Sequence, residues 1–370
     1  MKEIPVQYTR KQIFEFAESE LLAIENELKA PGSNEYGRVD RVAGWFLLAR
    51  MYLNAQTWIN ENKYQEAYAY AVKVIAAGHY PLASDYREIF LADNNTCKEI
   101  IWPLVQDGLR AQSSAGTNFY VKAFVNGPMD ELYKTGVGSR GWGNVRAKVS
   151  LVDAFDADDV MFDGNDTWGN NKKDKRAQFM TALPNQVKDT WDVNMDMTST
   201  FTCGYGYIKW RNVTKEDELC PSGDAYTSID FPLFRTADAY LMAAEAILRG
   251  ASGTKSEALG YVNEVRTRAY MSGKYAKNGV RSDVSGEITA NELNLDFLLV
   301  ERQKELASEL TRRTDLIRFG KYTKGNNWDW KNGVRLGADV DDKYNLFPIP
   351  ESELTNNPTL VQNDGYKVIK

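Results

Sequence analysis

From Phe231 to Gly250 the apolar positions follow a helical period. Ala237, Tyr240, Leu241, Ala244, Ile247 and Leu248 recur at three- and four-residue spacing, which puts them on one face of a helix. Pro232 suits the start, because its missing N–H needs no partner there. Arg249 and Gly250 suit the end, as a cation followed by a residue that tolerates a left-handed turn. A second helix follows. Thr254-Lys-Ser-Glu257 has the capping-box pattern, and Ala258, Tyr261, Val262, Val265 and Ala269 form its apolar face. Small residues and a short connection predict close antiparallel packing, a tetratricopeptide-like pair.

The N-terminal part repeats this pattern. Thr9-Arg-Lys-Gln12 is a capping box, and Ile13, Ala17, Leu21, Ile24 and Leu28 predict an amphipathic helix to about Lys29, ended by Pro31-Gly32. Val42, Trp45, Phe46, Ala49, Tyr52 and Leu53 predict one helix of another pair. Tyr64, Ala67, Tyr68, Ala71, Val74 and Ile75 predict its partner. A short helical piece is expected at Tyr86–Phe90 and a buried strand over Glu99–Val105. From Gln106 to about Thr227 the periodicity is lost, Gly is frequent, and Asp and Asn cluster. Only a helix over Leu151–Phe155 and a strand over Gly206–Trp210 stand out there. Thr289-Ala-Asn-Glu292 is expected to cap another helix, with Leu295, Leu298, Leu299, Leu306 and Leu310 on its apolar face. The fold class is therefore mainly α, with tetratricopeptide-like helix pairs supporting an irregular, loop-rich region. One domain over residues 1–370 is expected: a helical repeat over about 9–80, the irregular region over about 106–227, and a second repeat with a tail over about 231–366.

Composition narrows the function. Net charge is −6, which argues against a nucleic-acid partner. The one histidine, His79, follows Gly78 at the expected end of a helix, so a C-terminal capping role is read for it. A single His also disfavours His-rich metal sites and a Ser-His-Asp triad. Cys97, Cys203 and Cys220 form neither a zinc pattern nor a disulfide framework. No 18-residue hydrophobic segment occurs, and Met1-Lys-Glu-Ile-Pro5 lacks the apolar run of a signal peptide. Taken alone, these features predict a soluble chain that is not exported.

Two chemistries compete. A glycoside hydrolase needs two carboxylates at a set separation, and Asp156, Asp158, Asp159, Asp163 and Asp166 offer them, although such a run is more often a solvated loop. Val160 breaks the EF-hand template there, and no Walker or nucleophile-elbow motif occurs. Glycan binding instead needs an exposed aromatic face and hydrogen-bonding side chains on a loop held by a rigid scaffold. The loop Leu109–Asn144 has that composition, with Arg110, Gln112, Asn118, Tyr133 and Trp142 as candidate contacts. Trp142 sits between glycines in Ser-Arg-Gly-Trp-Gly, which favours exposure. Trp328-Asp-Trp330 is a second loop-borne aromatic cluster, read as packing.

Several motifs in order carry a resemblance. They are Gly37-Arg-Val-Asp40 with the run to Ala55, Asp174-Lys-Arg176, Phe231-Pro-Leu-Phe-Arg235, Ala237-Asp-Ala-Tyr-Leu241, Glu301-Arg-Gln-Lys-Glu-Leu306, Asp315-Leu-Ile-Arg-Phe-Gly320 and Phe347-Pro-Ile-Pro350. Together, from about Tyr36 to Tyr366, they resemble the SusD/RagB family of outer-membrane glycan-binding lipoproteins. Leu310 stands where that family usually has Gly, and is read as a packing change. The resemblance implies non-catalytic capture of an oligosaccharide, with starch-like α-glucan as the lead, and handover to a TonB-dependent transporter of the SusC type. It implies a cell-surface, outer-membrane location and a lipoprotein signal, so the chain resembles a member without its N-terminal third. Trp142 matches one tryptophan of the aromatic arc in the starch-binding branch, whereas Ser114 stands where an arc tyrosine is expected. No cofactor is expected apart from a calcium suggested at Asp230 and Asn95, and Asn95 and Ser228 are weak substitutes for its carboxylates. The alternatives are a protein-interaction module with a vestigial glycan site, and the hydrolase.

Overall fold

The computed structural model describes residues 4–126, 130, 133–160, 168–169, 171–180, 204–271 and 284–367. Among them are eleven α-helices and four short strands: α1 (Arg10–Ile24), α2 (Arg41–Ile59), α3 (Tyr64–Ala76), β1 (Ile100–Leu104), α4 (Thr117–Ala123), α5 (Val149–Val152), α6 (Ala157–Val160), β2 (Phe179–Met180), β3 (Gly206–Tyr207), β4 (Phe231–Arg235), α7 (Thr236–Leu248), α8 (Lys255–Met271), α9 (Leu295–Leu306), α10 (Arg312–Arg318) and α11 (Glu351–Asn356). The mainly helical class is as expected from the periodicity.

Both capping boxes form as read. Gln12 N donates to Thr9 Oγ1 at 3.2 Å and Thr9 N to Gln12 Oε1 at 2.9 Å. Glu257 N donates to Thr254 Oγ1 at 3.1 Å and Thr254 N to Glu257 Oε2 at 2.7 Å. Such reciprocal bonds satisfy donors that a helix start would otherwise leave open. Asp40 caps α2, accepting from Val42 N at 2.9 Å and Ala43 N at 3.2 Å. Its other oxygen accepts from Gly32 N and the Tyr80 hydroxyl, each at 2.7 Å. The His79 ring lies over Gly32, where a Cβ would meet Nε2 at 1.8 Å, so it packs against that turn instead of capping α3. Gly32 also has φ +67°, which a larger residue would rarely adopt.

The two helix pairs share one layer, since α3 packs against both α2 and α7, and α7 against α8. Ala43, Ala49, Ala55, Ala67 and Ala71 are buried between them with Phe46, Leu53 and Tyr52. Small side chains let the helix axes approach closely while the aromatics fill the gaps. Four expectations are corrected. Pro232 does not begin a helix: Phe231–Arg235 is a strand paired antiparallel with β1, Pro103 opposite Pro232, and α7 starts at Thr236. Pro is tolerated because a two-stranded ribbon has only edge strands. In α1 the buried residue is Phe14, while Ile13 and Ile24 are exposed, because one face alone meets α2. The Thr289–Glu292 box closes a turn; α9 begins later, capped by Asn294 Oδ1 accepting from Phe297 N at 2.9 Å. Leu310 lies outside that helix, exposed, with φ +62°. That conformation costs a non-glycine residue about 1–2 kcal/mol and explains why Gly suits this position.

A buried ion-pair network ties helices, strands and irregular region together. Arg235 reaches Glu309 at 2.6 and 2.8 Å, Glu305 at 2.6 Å and Glu99 at 2.9 Å. Arg176 grips Asp174 through two bonds of 2.8 Å and meets Glu301 at 2.6 Å, so the Asp-Lys-Arg motif is a structural ion pair as read. Arg302 bridges Asp238 and Asp315, each at 2.9 Å, and Arg318 clasps Glu245 at 2.7 and 2.8 Å. Burial alone would raise the pKa of Glu305, but Arg268, Arg235 and Arg176 around it hold it below the usual carboxylate range.

Candidate functional site

The irregular region rests on this scaffold, and its best-formed feature is a short hairpin-like return over α4. Thr117, the first residue of α4, donates from Oγ1 to Ile229 O at 2.7 Å, which anchors the helix to the segment leading into β4. The chain then comes back along the end of α4. Trp142 N donates to Lys122 O at 2.7 Å, Gly143 N to Val125 O at 2.8 Å and Asn144 N to Ala123 O at 2.8 Å. Gly141 permits this approach, since a Cβ there would lie 2.6 Å from Val125 O. The backbone of the loop is therefore locked while its side chains point outward.

Trp142 is 38% exposed and its ring centroid lies 6.2 Å from that of Phe119, itself 43% exposed. Trp142 borders a pocket of about 350 Å3 that Ser114, Lys122, Ser139, Arg140 and Tyr226 also line. Arg140 Nε donates to Asp224 Oδ1 at 3.0 Å, and Lys122 donates to Ala225 O. Burial and the neighbouring Arg140 push the Lys122 ammonium below its ordinary value, with Asp224 opposing. An open aromatic face beside hydroxyls and cations can stack on an apolar ring face and hydrogen-bond to its substituents.

The candidates from the sequence separate here. Trp142 is placed at this pocket, and Ser114 shares it. Arg110 and Gln112 are exposed on the preceding loop but do not line the pocket; Arg110 stands 3.6 Å from Asp107. Tyr133 is 3% exposed and its ring belongs to the core beneath the loop, so it offers no open face. Asn118 is 1% exposed, with Nδ2 spent on Ser113 O at 3.0 Å. Phe119, Lys122, Arg140 and Tyr226 were missed. The Phe119-Tyr120 doublet on a seven-residue helix was a readable signal, because so short a helix cannot hide both rings. Tyr226 carried no such signal.

The suggested calcium set does not fit. Asp230 Oδ2 accepts from the Tyr36 hydroxyl and Oδ1 from Gln106 N at 2.8 Å. The asparagine that meets Asp230 is Asn94, whose side chain bonds to its backbone on both sides, at 2.8 and 2.9 Å; Asn95 is exposed. Ser228 Oγ accepts from Gly108 N at 3.2 Å. Calcium needs six to eight oxygens, and no group of three metal-ligating acidic, His or Cys side chains occurs among the described residues. In the aspartate run, Asp159 is buried and accepts from Lys173 N at 2.7 Å and Asp174 N at 3.0 Å. Asp156 and Asp158 are exposed, and Asp163 and Asp166 lie outside the described residues. Cys97 and Cys220 are free thiols; Cys203 lies outside the described residues. Among the described residues no helix is long and apolar enough to cross a membrane.

Comparison with known proteins agrees with the motif order. The SusD family pattern spans residues 98–366. The starch-binding protein SusD of Bacteroides thetaiotaomicron is 32% identical over 395 residues, covering 99% of this chain and 67% of its own length. The chain belongs to the SusD family. The SusD-like protein P25 of Formosa agariphila is 25% identical, covering 89% of this chain and 59% of its own length. The SusD-family chain thus spans about two thirds or less of these relatives. Its fold is shared with a SusD-like protein from Bacteroides fragilis, with a TM-score of 0.68 at 22% identity over 98% of this chain and 72% of the other. It is also shared with surface glycan-binding protein A of Bacteroides thetaiotaomicron in complex with laminarihexaose, with a TM-score of 0.66 at 21% identity over 97% and 72% of the two chains.

Proposed function

We propose that this protein captures an oligosaccharide on the Trp142 face without cleaving it. The observation that carries the reading is the exposed Trp142, held on a backbone-locked loop beside a polar pocket and next to the Phe119 ring of α4. A starch-like α-glucan is the substrate class of first choice, supported by 32% identity to a protein named for starch binding. Delivery to a TonB-dependent, SusC-type transporter at the outer cell surface completes the proposal and rests on family membership. Non-catalytic action fits the aspartate run, whose buried member Asp159 is occupied by two backbone N–H groups. The test is titration of malto-oligosaccharides, followed by tryptophan fluorescence and calorimetry, with Trp142→Ala beside the wild type. Saturable binding that the mutant weakens supports the reading; binding unchanged in the mutant moves the site elsewhere.

A protein-interaction module is the second reading, favoured by exposed apolar side chains on α1 and the tail: Ile13, Phe16, Phe347 and Val361. A folded protein that binds none of a panel of neutral glycans would put this reading first.

A further inference from the structure

A second pocket, of about 380 Å3, opens where the segment before α5, the end of α9 and the start of α10 meet the loop carrying Trp328. One wall is aromatic: the ring centroids of Tyr322 and Trp328 are 5.8 Å apart, with planes inclined at 36°. Leu306 and Leu316 add apolar surface. Charge around it is one-sided. Arg146, Lys148, Arg302, Arg312 and Arg313 line it, and no aspartate or glutamate does among the described residues. Arg302 is neutralised by Asp238 and Asp315.

Among the described residues, three of the others donate to neutral acceptors. Lys148 Nζ donates to Asp329 O at 3.0 Å. Arg312 donates to Leu299 O at 2.8 Å and Gln303 Oε1 at 2.7 Å. Arg313 donates to Tyr344 O at 2.9 Å and Asn345 O at 3.2 Å, and its buried Nε has no partner among the described residues. Asp315, the acid that acts on Arg312, is already bound to Arg302 and Arg318. Burial, helped by Arg302 and opposed by Asp315, pushes Arg312 down to about 10. The carboxylate of Asp329 accepts from Val149 N at 3.4 Å. Lys148, Arg312 and Arg313 thus stand at a cavity with no acidic lining among the described residues, where a ligand carboxylate can pair with them.

We propose that this pocket is a second ligand site, built for a sugar ring that carries a carboxylate, that is, a hexuronate. Trp328 offers a surface for the ring to stack on, and Lys148 and Arg312 offer charge-assisted hydrogen bonds to the carboxylate. The cavity has the size of small-molecule sites. Trp328, expected from the sequence to pack, gains a binding role. The proposal does not rest on glycan capture at Trp142.

The test is calorimetric titration of the full chain with D-glucuronate, with D-glucose as the neutral control. Saturable glucuronate binding is expected, at least about tenfold tighter than glucose, as one charge-assisted hydrogen bond would give. Trp328→Ala should abolish it, and Arg312→Gln should weaken it about tenfold. Arg312 also holds Leu299 O, so Lys148→Ala, on an exposed side chain, provides a variant that does not depend on refolding and should weaken binding severalfold. Equal affinity for glucose would overturn the proposal, as would absence of saturation by the folded wild type. Unchanged affinity in Lys148→Ala and Arg312→Gln, or loss in Trp142→Ala with retention in Trp328→Ala, would overturn it too.

Discussion

The helical layer and the face around Trp142 are held by different forces. In the helical layer, guanidinium–carboxylate pairs such as Arg235–Glu305 and Arg318–Glu245 are buried, multiply bonded and shared between distant segments. At the Trp142 loop the restraints include four backbone hydrogen bonds, from residues 142–145 to Lys122, Ala123 and Val125, and one exposed ion pair, Arg140–Asp224. The first kind of restraint makes a scaffold that fails as a unit. The second fixes a backbone path while leaving side chains open to solvent, which a binding face requires. Stability and binding should therefore separate cleanly under mutation.

The largest effect should come from Arg235→Ala. Removing it leaves Glu99, Glu305 and Glu309 buried with less compensation, and breaking such a cluster costs about 3–5 kcal/mol; chemical denaturation would measure it. A loss under about 1 kcal/mol would mean that the network is not what holds the layer together. Acid should act on the same region. Burial raises Asp238 and Glu245, but Arg302 with Arg50, and Arg318 with Arg302, outweigh it and hold both at about 2, below their ordinary values of 3.8 and 4.5. The unfolded chain then binds more protons than the folded one as pH falls. Stability should be complete above about 4.5 and lost progressively towards about 2, measured as a falling urea midpoint; a flat profile would contradict the pairing.

Trp142→Ala should do the reverse: glycan affinity falls about tenfold, of the order of one aromatic contact with its hydrogen bonds, while the melting temperature stays within a degree or two, roughly the scatter of surface substitutions. Gly141→Ala sharpens the comparison. Its Cβ would press on Val125 O, so the loop should shift and binding weaken with Trp142 still present; unchanged affinity would show that the locked path is dispensable. The smallest effect is expected from Leu310→Gly. It relieves about 1 kcal/mol of left-handed strain and gives back about half through the greater freedom of glycine in the unfolded chain. A net gain of about half a kcal/mol should appear as a slightly higher melting temperature.

Local side-chain pairs form as expected, although the Thr289–Glu292 box closes a turn and not a helix start. Thr9–Gln12 and Thr254–Glu257 cap through side chains three residues apart, and Asp174 pairs with Arg176 two residues on. Readings failed where a distant partner decided the outcome. Phe231–Arg235 has the look of a helix start until β1 is found beside it. Tyr133 and Asn118 have the composition of a sugar site, yet the chain folds them inward, against the core and the Ser113 carbonyl. Phe119 and Tyr226 come to the Trp142 region from either side of it in sequence.

Taken by itself, the sequence determined the helical class, the family through its ordered motifs, and Trp142 as an exposed candidate, because periodicity, capping and flanking glycines act within a few residues. Only the tertiary structure decided which carboxylate meets which guanidinium, as with Glu99 and Arg235 at a separation of 136 residues. It alone showed that Asp230 is occupied by Tyr36, and that Trp328 faces a pocket rich in cations. The reason is that burial and charge compensation are properties of the space between segments, and no short window of sequence contains both sides of that space.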